Sequence, residues 1–317
     1  MKFSKLVILL AVTAFLVKCG ISTNSELVSL MDATVKNCDF GDKDGSTNNY
    51  GWKIEACKND ELKKAQKFVV EKSLKDTLPT LTVALGDKDQ KKASLSVYLI
   101  NKVAWDKGFK ELAQNPQLIS DKVAKKLIEN FKAQSDKSWI QYGVKGITHV
   151  GVIKGLSSDL FAIADSAKPG SHVKHGIYAN SLLYGRLNLL PKLQALAKSQ
   201  NSQDQFTAIG SVDSLREGIT DAEKDAVCKW LATDNLSHTD EFVTAEVTAR
   251  IASYCKGEFL DKSLDLIDKK IKDAKGKKIH GSYKYGLIWI TCPPSGRGTQ
   301  DQCKRKDALL KKYEALK

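Results

Sequence analysis

The sequence is poor in several residue types on which common protein classes depend. Only five of its 50 basic residues are arginines, although proteins that read bases and phosphates rely on the bidentate guanidinium. We therefore expect no nucleic-acid partner. Six prolines among 317 residues are too few for a chain dominated by linkers. The longest apolar stretch, residues 6–17, is shorter than the ~20 residues of a membrane-spanning helix, which excludes a bundle of such helices.

Familiar catalytic motifs are missing as well. The sequence contains no G-x-S-x-G, H-E-x-x-H, G-x-G-x-x-G or G-x-x-x-x-G-K. His172 and His175 are three residues apart, a spacing that puts both on one helix face and suits a metal with a third ligand. Nothing nearby in sequence supplies that ligand, so we interpret both as surface residues beside a turn. We expect no enzyme, no metal and no cofactor.

The N-terminus has the layout of a secretory signal. A basic start, residues 1–5, precedes the apolar stretch 6–17, and Lys18 and Cys19 follow. With Leu16 and Cys19 in place, this segment resembles the signal of bacterial lipoproteins, in which cleavage before a cysteine leaves a lipid-carrying thiol. The resemblance implies a signal peptide at 1–18, a lipid anchor at Cys19 and a place in the bacterial cell envelope, as an outer-membrane or surface lipoprotein. An ordinary signal peptide or an uncleaved anchor is the alternative.

Removal of residues 1–18 takes away three lysines and no acid, so the formal charge falls from +13 to +10. The remaining lysines are interleaved with Asp and Glu along the chain, as on solvated helix faces. A charge-steered contact with acidic lipids, polysaccharide or protein is the alternative interpretation.

Six cysteines remain once Cys19 is assigned to lipid, and they form three pairs that are local in sequence. Six cysteines allow fifteen connectivities, but disulfides persist in exported proteins and short loops favour local pairing. Each such bridge contributes on the order of 3 kcal/mol. No C-x-x-C occurs, so zinc is not expected. The predicted disulfides are Cys38–Cys57, Cys228–Cys255 and Cys292–Cys303.

From residue 73 onward, apolar residues recur at helical spacing, with almost no alternation typical of strands. A first stripe ends at the polar residues 86–89, and a second stripe follows it. The two stripes predict an antiparallel helix pair, and their members are Leu74, Leu78, Leu81 and Leu85, then Ala93, Val97, Ile100 and Trp105.

The same helix–turn–helix pattern recurs along the chain. Small residues stand about six positions into each second helix, and their spacing settles in the mid-thirties. Such a period predicts a solenoid of stacked hairpins, because one pair cannot bury its own stripe and small residues allow close helix contact. These residues are Ala93, Gly143, Gly176, Ala208, Ala245 and Gly281.

Two segments carry a family resemblance. Residues 76–93 contain Leu78-Pro79-Thr80-Leu81, then Asp87 and Ala93, and residues 190–208 repeat this order with Asp204 and Ala208. They resemble HEAT repeats. The resemblance implies an all-α fold, namely a right-handed α–α superhelix of about six helix pairs across 73–291. It also implies that the protein acts by binding other proteins. The alternative is an irregular helical bundle whose periodicity arises by chance.

The two ends differ from the repeats. Residues 19–72 are predicted to form a disulfide-closed N-terminal cap. Residues 292–317 are predicted to form a disulfide loop and a basic helix. Residues 283–290 suit a final buried helix or a short strand. The loop serves as an end cap or presents Arg297 to a partner.

The leading functional hypothesis is a lipid-anchored, extracytoplasmic scaffold that binds another protein and does not catalyse. An adhesin or structural envelope protein that binds acidic host or matrix molecules is the second. A small-ligand receptor or enzyme with a helical pocket is the third. The sequence assigns no residues to partner binding.

Overall fold

A computed structural model describes residues 20–38, 60–137, 139–140, 143–180, 189–212, 220–236 and 238–316. These residues contain sixteen α-helices, a short 3₁₀ helix and a π-helical turn, and no strand. The all-α prediction is confirmed. Over the same ranges, no helix combines the length and the apolar character needed to cross a membrane.

The chain divides into two compact units, residues 1–167 and 168–317, so the division falls inside the predicted repeat region 73–291. The described helices of the first unit are α1 Ser25–Asn37, α2 Glu61–Glu71, α3 Leu74–Leu85, α4 Gln90–Asp106, α5 Lys110–Gln114, α6 Asp121–Ala133, α7 Val144–Ile153 and α8 Ser157–Ser166. Those of the second unit are α9 His172–Ala179, α10 Leu189–Leu196, α11 Ser202–Gly210, α12 Asp221–Trp230, α13 Glu241–Tyr254, α14 Glu258–Asp273, α15 Gly281–Trp289 and α16 Gln300–Glu314. The π-helical turn Leu231–Asn235 directly follows α12.

Helix starts follow from capping side chains in the sequence. Ser73, Asp89 and Ser120 accept hydrogen bonds from backbone N–H groups in the first turns of α3, α4 and α6. Thr220 and Thr299 form complete capping boxes at α12 and α16. Such caps satisfy N–H groups that have no partner inside the helix, and each contributes about 1 kcal/mol.

In the first unit, helix pairs lie side by side. Helix α3 packs against α4 and α6, and α4 packs against α7. Gly143 permits the α4–α7 contact, because a Cβ on it would lie 1.6 Å from Cγ1 of Val97. Gly146 makes a similar approach to Ile100 one turn later. Small residues therefore allow close helix contact here, as the sequence predicted for Gly143.

Polar side chains join neighbouring helices through main-chain oxygens. Asn130 Nδ2 of α6 donates to the carbonyl oxygen of Thr82 in α3 over 2.7 Å, and Gln134 Nε2 donates to that of Leu85 over 3.3 Å. In the second unit, Ser263 Oγ donates to the carbonyl oxygen of Thr248 over 3.1 Å. Because these donors are buried, the bonds satisfy groups that would otherwise be costly to leave unpaired.

In the second unit, helices α9, α11, α13 and α15 contact one another in that order. Asp204 of α11 contacts the start of α9, and this residue is 2% exposed. Its Oδ1 accepts from the N–H of Gly170 at 2.7 Å and its Oδ2 from Ser199 Oγ at 3.1 Å. The ammonium of Lys174, itself buried, lies 3.5 Å from Oδ2. The turn aspartate of the second HEAT-like segment is thus the centre of a buried polar cluster.

Two predicted disulfide pairs stand at bonding distance. The Sγ atoms of Cys228 and Cys255 are 2.07 Å apart, and those of Cys292 and Cys303 are 2.04 Å apart. The first pair joins α12 to the end of α13, and the second joins the loop after α15 to α16. Cys38 is buried, and its predicted partner Cys57 lies outside the described residues.

Some details of the predicted stripes are wrong. Trp105 is 65% exposed, because the buried face of α4 runs through Leu99, Ile100 and Val103 and turns Trp105 outward. Gly281 starts α15 with open space around it, whereas Gly286 makes the close approach, its Cβ position being 3.1 Å from Cα of Ala249. The segment 283–290 belongs to helix α15, Gly281–Trp289, which ends just before Ile290. Only one side of that helix is buried.

Candidate functional site

A row of aromatic rings crosses the second unit from helix to helix. Phe206 of α11 stacks on Phe242 of α13 with centroids 4.5 Å apart, and Phe242 meets the edge of His280, the N-cap of α15, at 5.1 Å. His175 of α9 lies 6.1 Å from Phe206. Ring pairs at such separations each contribute about 0.5–1.5 kcal/mol beyond burial. The row thus fixes the relative positions of the starts of α11, α13 and α15.

Helices α13 and α15 also meet along their length. Ser282 Oγ donates to Glu246 Oε2 over 3.3 Å, and the guanidinium of Arg250 lies 5.5 Å from the ring centroid of Trp289. Phe242, Glu246 and Arg250 are four residues apart and share one stripe of α13. A hydrogen bond and a cation–π contact therefore add to the packing between the two helices along this stripe.

The pair Glu246–Arg250 is largely buried. Arg250 Nε donates to Glu246 Oε1 over 2.7 Å, and Nη2 donates to the same oxygen. Burial raises the pKa of Glu246 above its ordinary value, and the Ser282 hydroxyl opposes this shift. Burial lowers the pKa of Arg250 to about 10, so the guanidinium stays charged at neutral pH. The charged guanidinium lies 5.5 Å from the ring centroid of Trp289, a cation–π contact that favours this position of the ring.

The buried side of α15 holds this arrangement in place. Tyr283 is fully buried, and its hydroxyl donates to Glu241 Oε1 of α13 over 2.8 Å. Burial raises the pKa of Tyr283 far above its ordinary value. Glu241 also pairs with Lys270 of α14. Residue Leu287, one turn after Tyr283, is buried as well.

The opposite side of α15 carries large apolar side chains in solvent. Tyr285 is 57% exposed, Ile288 is 50% exposed and Trp289 is 38% exposed. The rings of Tyr285 and Trp289 stack with centroids 6.0 Å apart. Contiguous exposed apolar side chains of this size mark interaction sites more often than isolated ones do. We call the set Phe242, Arg250, Tyr285, Ile288 and Trp289 the α13–α15 face.

Sequence reasoning missed this face. It predicted a buried helix or a short strand at residues 283–290, although a helix with apolar residues on every side must leave one side exposed or cover it with a partner. Ile288 and Trp289 follow Tyr285 by three and four residues, and the buried Leu287 follows the buried Tyr283 by four. The presence of two apolar stripes was the available signal.

The histidines do not assemble a metal site in the described parts of the chain, where no group of three His, Cys, Asp or Glu side chains could hold an ion. His172 is exposed, but His175 is half-buried and its Nδ1 lies 3.1 Å from Thr207 Oγ1. Burial lowers the pKa of His175. The interpretation of both as surface residues is therefore wrong for His175, which belongs to the ring row.

His149 of the first unit is also half-buried, beside the ring of Phe109 at a centroid distance of 6.1 Å. Burial, with a smaller effect of Lys145, lowers the pKa of His149 to about 4. Lys145 has a second contact, since its Nζ lies 3.7 Å from the ring centroid of Trp105. That contact partly accounts for an exposed tryptophan on α4.

Arg297 lies in the Cys292–Cys303 loop and is exposed. Its N–H donates to Thr291 Oγ1 over 3.2 Å. It lines a cavity of about 190 Å³ next to the Cys228–Cys255 bridge, together with Asp221, Lys224, Asp225, Tyr254 and Lys256. Sites for drug-sized ligands usually enclose ~300–1,000 Å³, so this cavity suits no such ligand. The predicted lipid anchor, Cys19, lies outside the described residues.

No protein-family model matches this chain, and no curated protein matches it.

Proposed function

We propose that this protein is a lipid-anchored, extracytoplasmic helical-repeat protein of the bacterial cell envelope, a non-catalytic scaffold that binds another protein through the α13–α15 face. The single observation that carries the proposal is the exposure of Tyr285, Ile288 and Trp289 together on one helix, at 57%, 50% and 38%. The lipid anchor is Cys19, as the resemblance to lipoprotein signals implies.

The HEAT-like solenoid is part of this proposal. It is supported by the order of contacts, since α4 meets α7 in the first unit and α9, α11, α13 and α15 meet in turn in the second. In stacked hairpins, second helices contact second helices in this way. The buried position of Asp204, the turn aspartate of the HEAT-like segment, also supports it.

The residue types of the face favour a protein partner. Tyrosine, tryptophan and arginine are enriched among the residues that dominate protein–protein binding energies. The face is also preorganised, because Glu246 holds Arg250 and Arg250 lies against Trp289. A rigid platform loses less side-chain entropy on binding than flexible chains do. The partner we expect is a protein that presents apolar side chains to this helix.

The test is capture from solubilised envelope membranes by the immobilised mature chain carrying Cys19→Ser. A double variant, Tyr285→Ala with Trp289→Ala, removes the centre of the face. The control is Trp105→Ala, which removes a tryptophan that is 65% exposed on the other unit. Loss of one central aromatic typically costs ~2 kcal/mol, about 30-fold in affinity.

The proposal requires a protein whose capture falls at least tenfold with the double variant and is unchanged with the control. Capture that is equal in both variants, or no captured protein, refutes it. Salt-sensitive retention on heparin-like polymers without a captured protein would instead favour the adhesin hypothesis, which rests on the basic charge.

A further inference from the structure

Residue 21 is already part of the folded first unit. Ile21 is 8% exposed, and the N–H of Asn24 donates to Thr80 Oγ1 of α3 over 2.7 Å. The carbonyl oxygen of Gly20 accepts from Lys122 Nζ of α6 over 3.3 Å. The packed structure therefore starts within two residues of Cys19.

This short distance restricts a lipid-anchored chain. Two residues span at most ~7 Å, and the polar region on each side of a bilayer's hydrocarbon core is about 5–8 Å thick. A lipid on Cys19 holds the cysteine in that polar region. The surface of the first unit around Gly20 must then lie against lipid headgroups, because no linker separates it from the anchor.

Helix α6 supplies the charge at that surface. Lys122 contacts Gly20, and Lys125 is exposed one turn further along the same helix. The acids of α6 are matched by lysines, since Asp121 lies 2.7 Å from Lys154 Nζ and Glu129 lies 3.1 Å from Lys126 Nζ. Lys154 lowers the pKa of Asp121. The segment beside the anchor is thus left with an excess of positive charge.

We propose that the first unit docks directly on the anchoring bilayer, with Lys122 and Lys125 against anionic lipid headgroups. The inference rests on the lipid anchor of the proposed function. The occupant is the surface of the membrane that holds Cys19, because the length of chain between anchor and fold allows no other surface to come between. Each lysine near an anionic bilayer contributes about a fivefold gain in partitioning.

The first experiment measures the surface without the anchor. The unlipidated mature chain, carrying Cys19→Ser, is mixed with vesicles of phosphatidylcholine containing phosphatidylglycerol, and bound protein is separated by sedimentation. Lys122→Gln with Lys125→Gln is expected to lower the partition coefficient about 30-fold. The matched control, Lys88→Gln with Lys91→Gln, removes two exposed lysines at the α3–α4 turn and is expected to lower it less than threefold. Equal loss in both variants, or none in either, overturns the proposal.

The second experiment uses the lipidated chain on the same vesicles. Lysines are acetylated by a water-soluble reagent and quantified by mass spectrometry. Lys122 and Lys125 should be modified several-fold more slowly than in the unlipidated chain, and Lys88 and Lys91 should be unaffected. Insertion of a Gly–Ser linker of about ten residues after Cys19, which spans roughly 15–20 Å, should reduce the protection, because the lysines alone then hold the unit on the bilayer. Protection that is absent, or that is equally strong at Lys88 and Lys91, refutes direct docking.

Failure of the anchor itself gives a different result. Metabolic labelling with a radioactive fatty acid should tag the wild-type chain and leave Cys19→Ala unlabelled. Equal labelling of the two would refute the lipid anchor, and the vesicle partitioning of the unlipidated chain would be unchanged by that outcome.

Discussion

Replacement of Asp204 by alanine is expected to destabilise the second unit by about 3–5 kcal/mol. The carboxylate is 2% exposed and accepts from the N–H of Gly170 and the hydroxyl of Ser199 at 2.7 and 3.1 Å. Its other neighbour is the ammonium of Lys174, 3.5 Å away and also buried. Alanine leaves this ammonium without its counter-charge and two donors without their acceptor, and an uncompensated buried charge dominates the cost.

A graded series separates the charge from the hydrogen bonds. Asp204→Asn keeps an acceptor for Gly170 but leaves the Lys174 ammonium without its counter-charge, so we expect most of the loss of the alanine variant, about 2–4 kcal/mol. Lys174→Met leaves the Asp204 carboxylate with its two donors, so it should lower the free energy of unfolding less than Asp204→Asn does. The double variant Asp204→Asn with Lys174→Met should be more stable than the sum of the single losses predicts, with a coupling of at least about 1 kcal/mol.

Urea unfolding of the mature chain, followed by far-UV circular dichroism, gives these free energies, and amide hydrogen exchange in α9 and α11 localises them. Asp301→Ala is the control, because Asp301 also lies in the first turn of a helix but its side chain is 93% exposed. We expect the control to cost under ~0.5 kcal/mol. A loss below about 1 kcal/mol for Asp204→Ala, or no coupling to Lys174, would refute the assigned role.

Two further predictions concern pH and the disulfides. The pKa of His149 is about 4 in the folded chain against 6.5 unfolded, so only the unfolded chain binds a proton between these values and stability falls as pH drops from 6.5 to 4. In thermal melts, His149 should account for about 2 kcal/mol of this loss, less than the ~3 kcal/mol of the full pKa difference because its ring is partly exposed. His149→Gln should therefore reduce the pH dependence, while His175, whose pKa burial also lowers, retains a dependence of the same sign; an identical pH dependence in both proteins would contradict this. Mass spectrometry without reduction should find Cys228–Cys255 and Cys292–Cys303, the two pairs that the fold brings together. Loss of the first bridge should cost about 3.5 kcal/mol and loss of the second about 3 kcal/mol, because the first closes the longer loop; the reverse order would refute the loop-entropy explanation.

The existence and limits of helices could be predicted from the sequence because local signals determine them. The predicted break at 86–89 lies between α3, which ends at Leu85, and α4, which starts at Gln90. The cap at Asp89 and the leucine stripe before it act within a few residues of each other. Both signals can be read from the local sequence, without knowing which helices pack against this one.

The candidate face could not be predicted in the same way, because it depends on pairs distant in sequence. Arg250 and Trp289 meet where α15 approaches α13 closely, with Gly286 against Ala249. The sequence pattern marked Gly281 instead, since it lies at the regular interval. Periodicity locates a helix and its apolar residues, but the packing partner decides which of two apolar stripes is buried. Trp105 was misassigned for the same reason.

The bonds that tie neighbouring helices through main-chain oxygens make tolerance to mutation unequal on the two sides. Asn130 and Gln134 contribute side-chain amides to these bonds, whereas Thr82 and Leu85 contribute main-chain carbonyl groups and bury their own side chains in the core. Substitution of Asn130 or Gln134 by an apolar residue should therefore break the bond itself and leave a buried carbonyl without its donor. Substitution of Leu85 by another apolar residue keeps the acceptor in place, so its cost is set by packing alone.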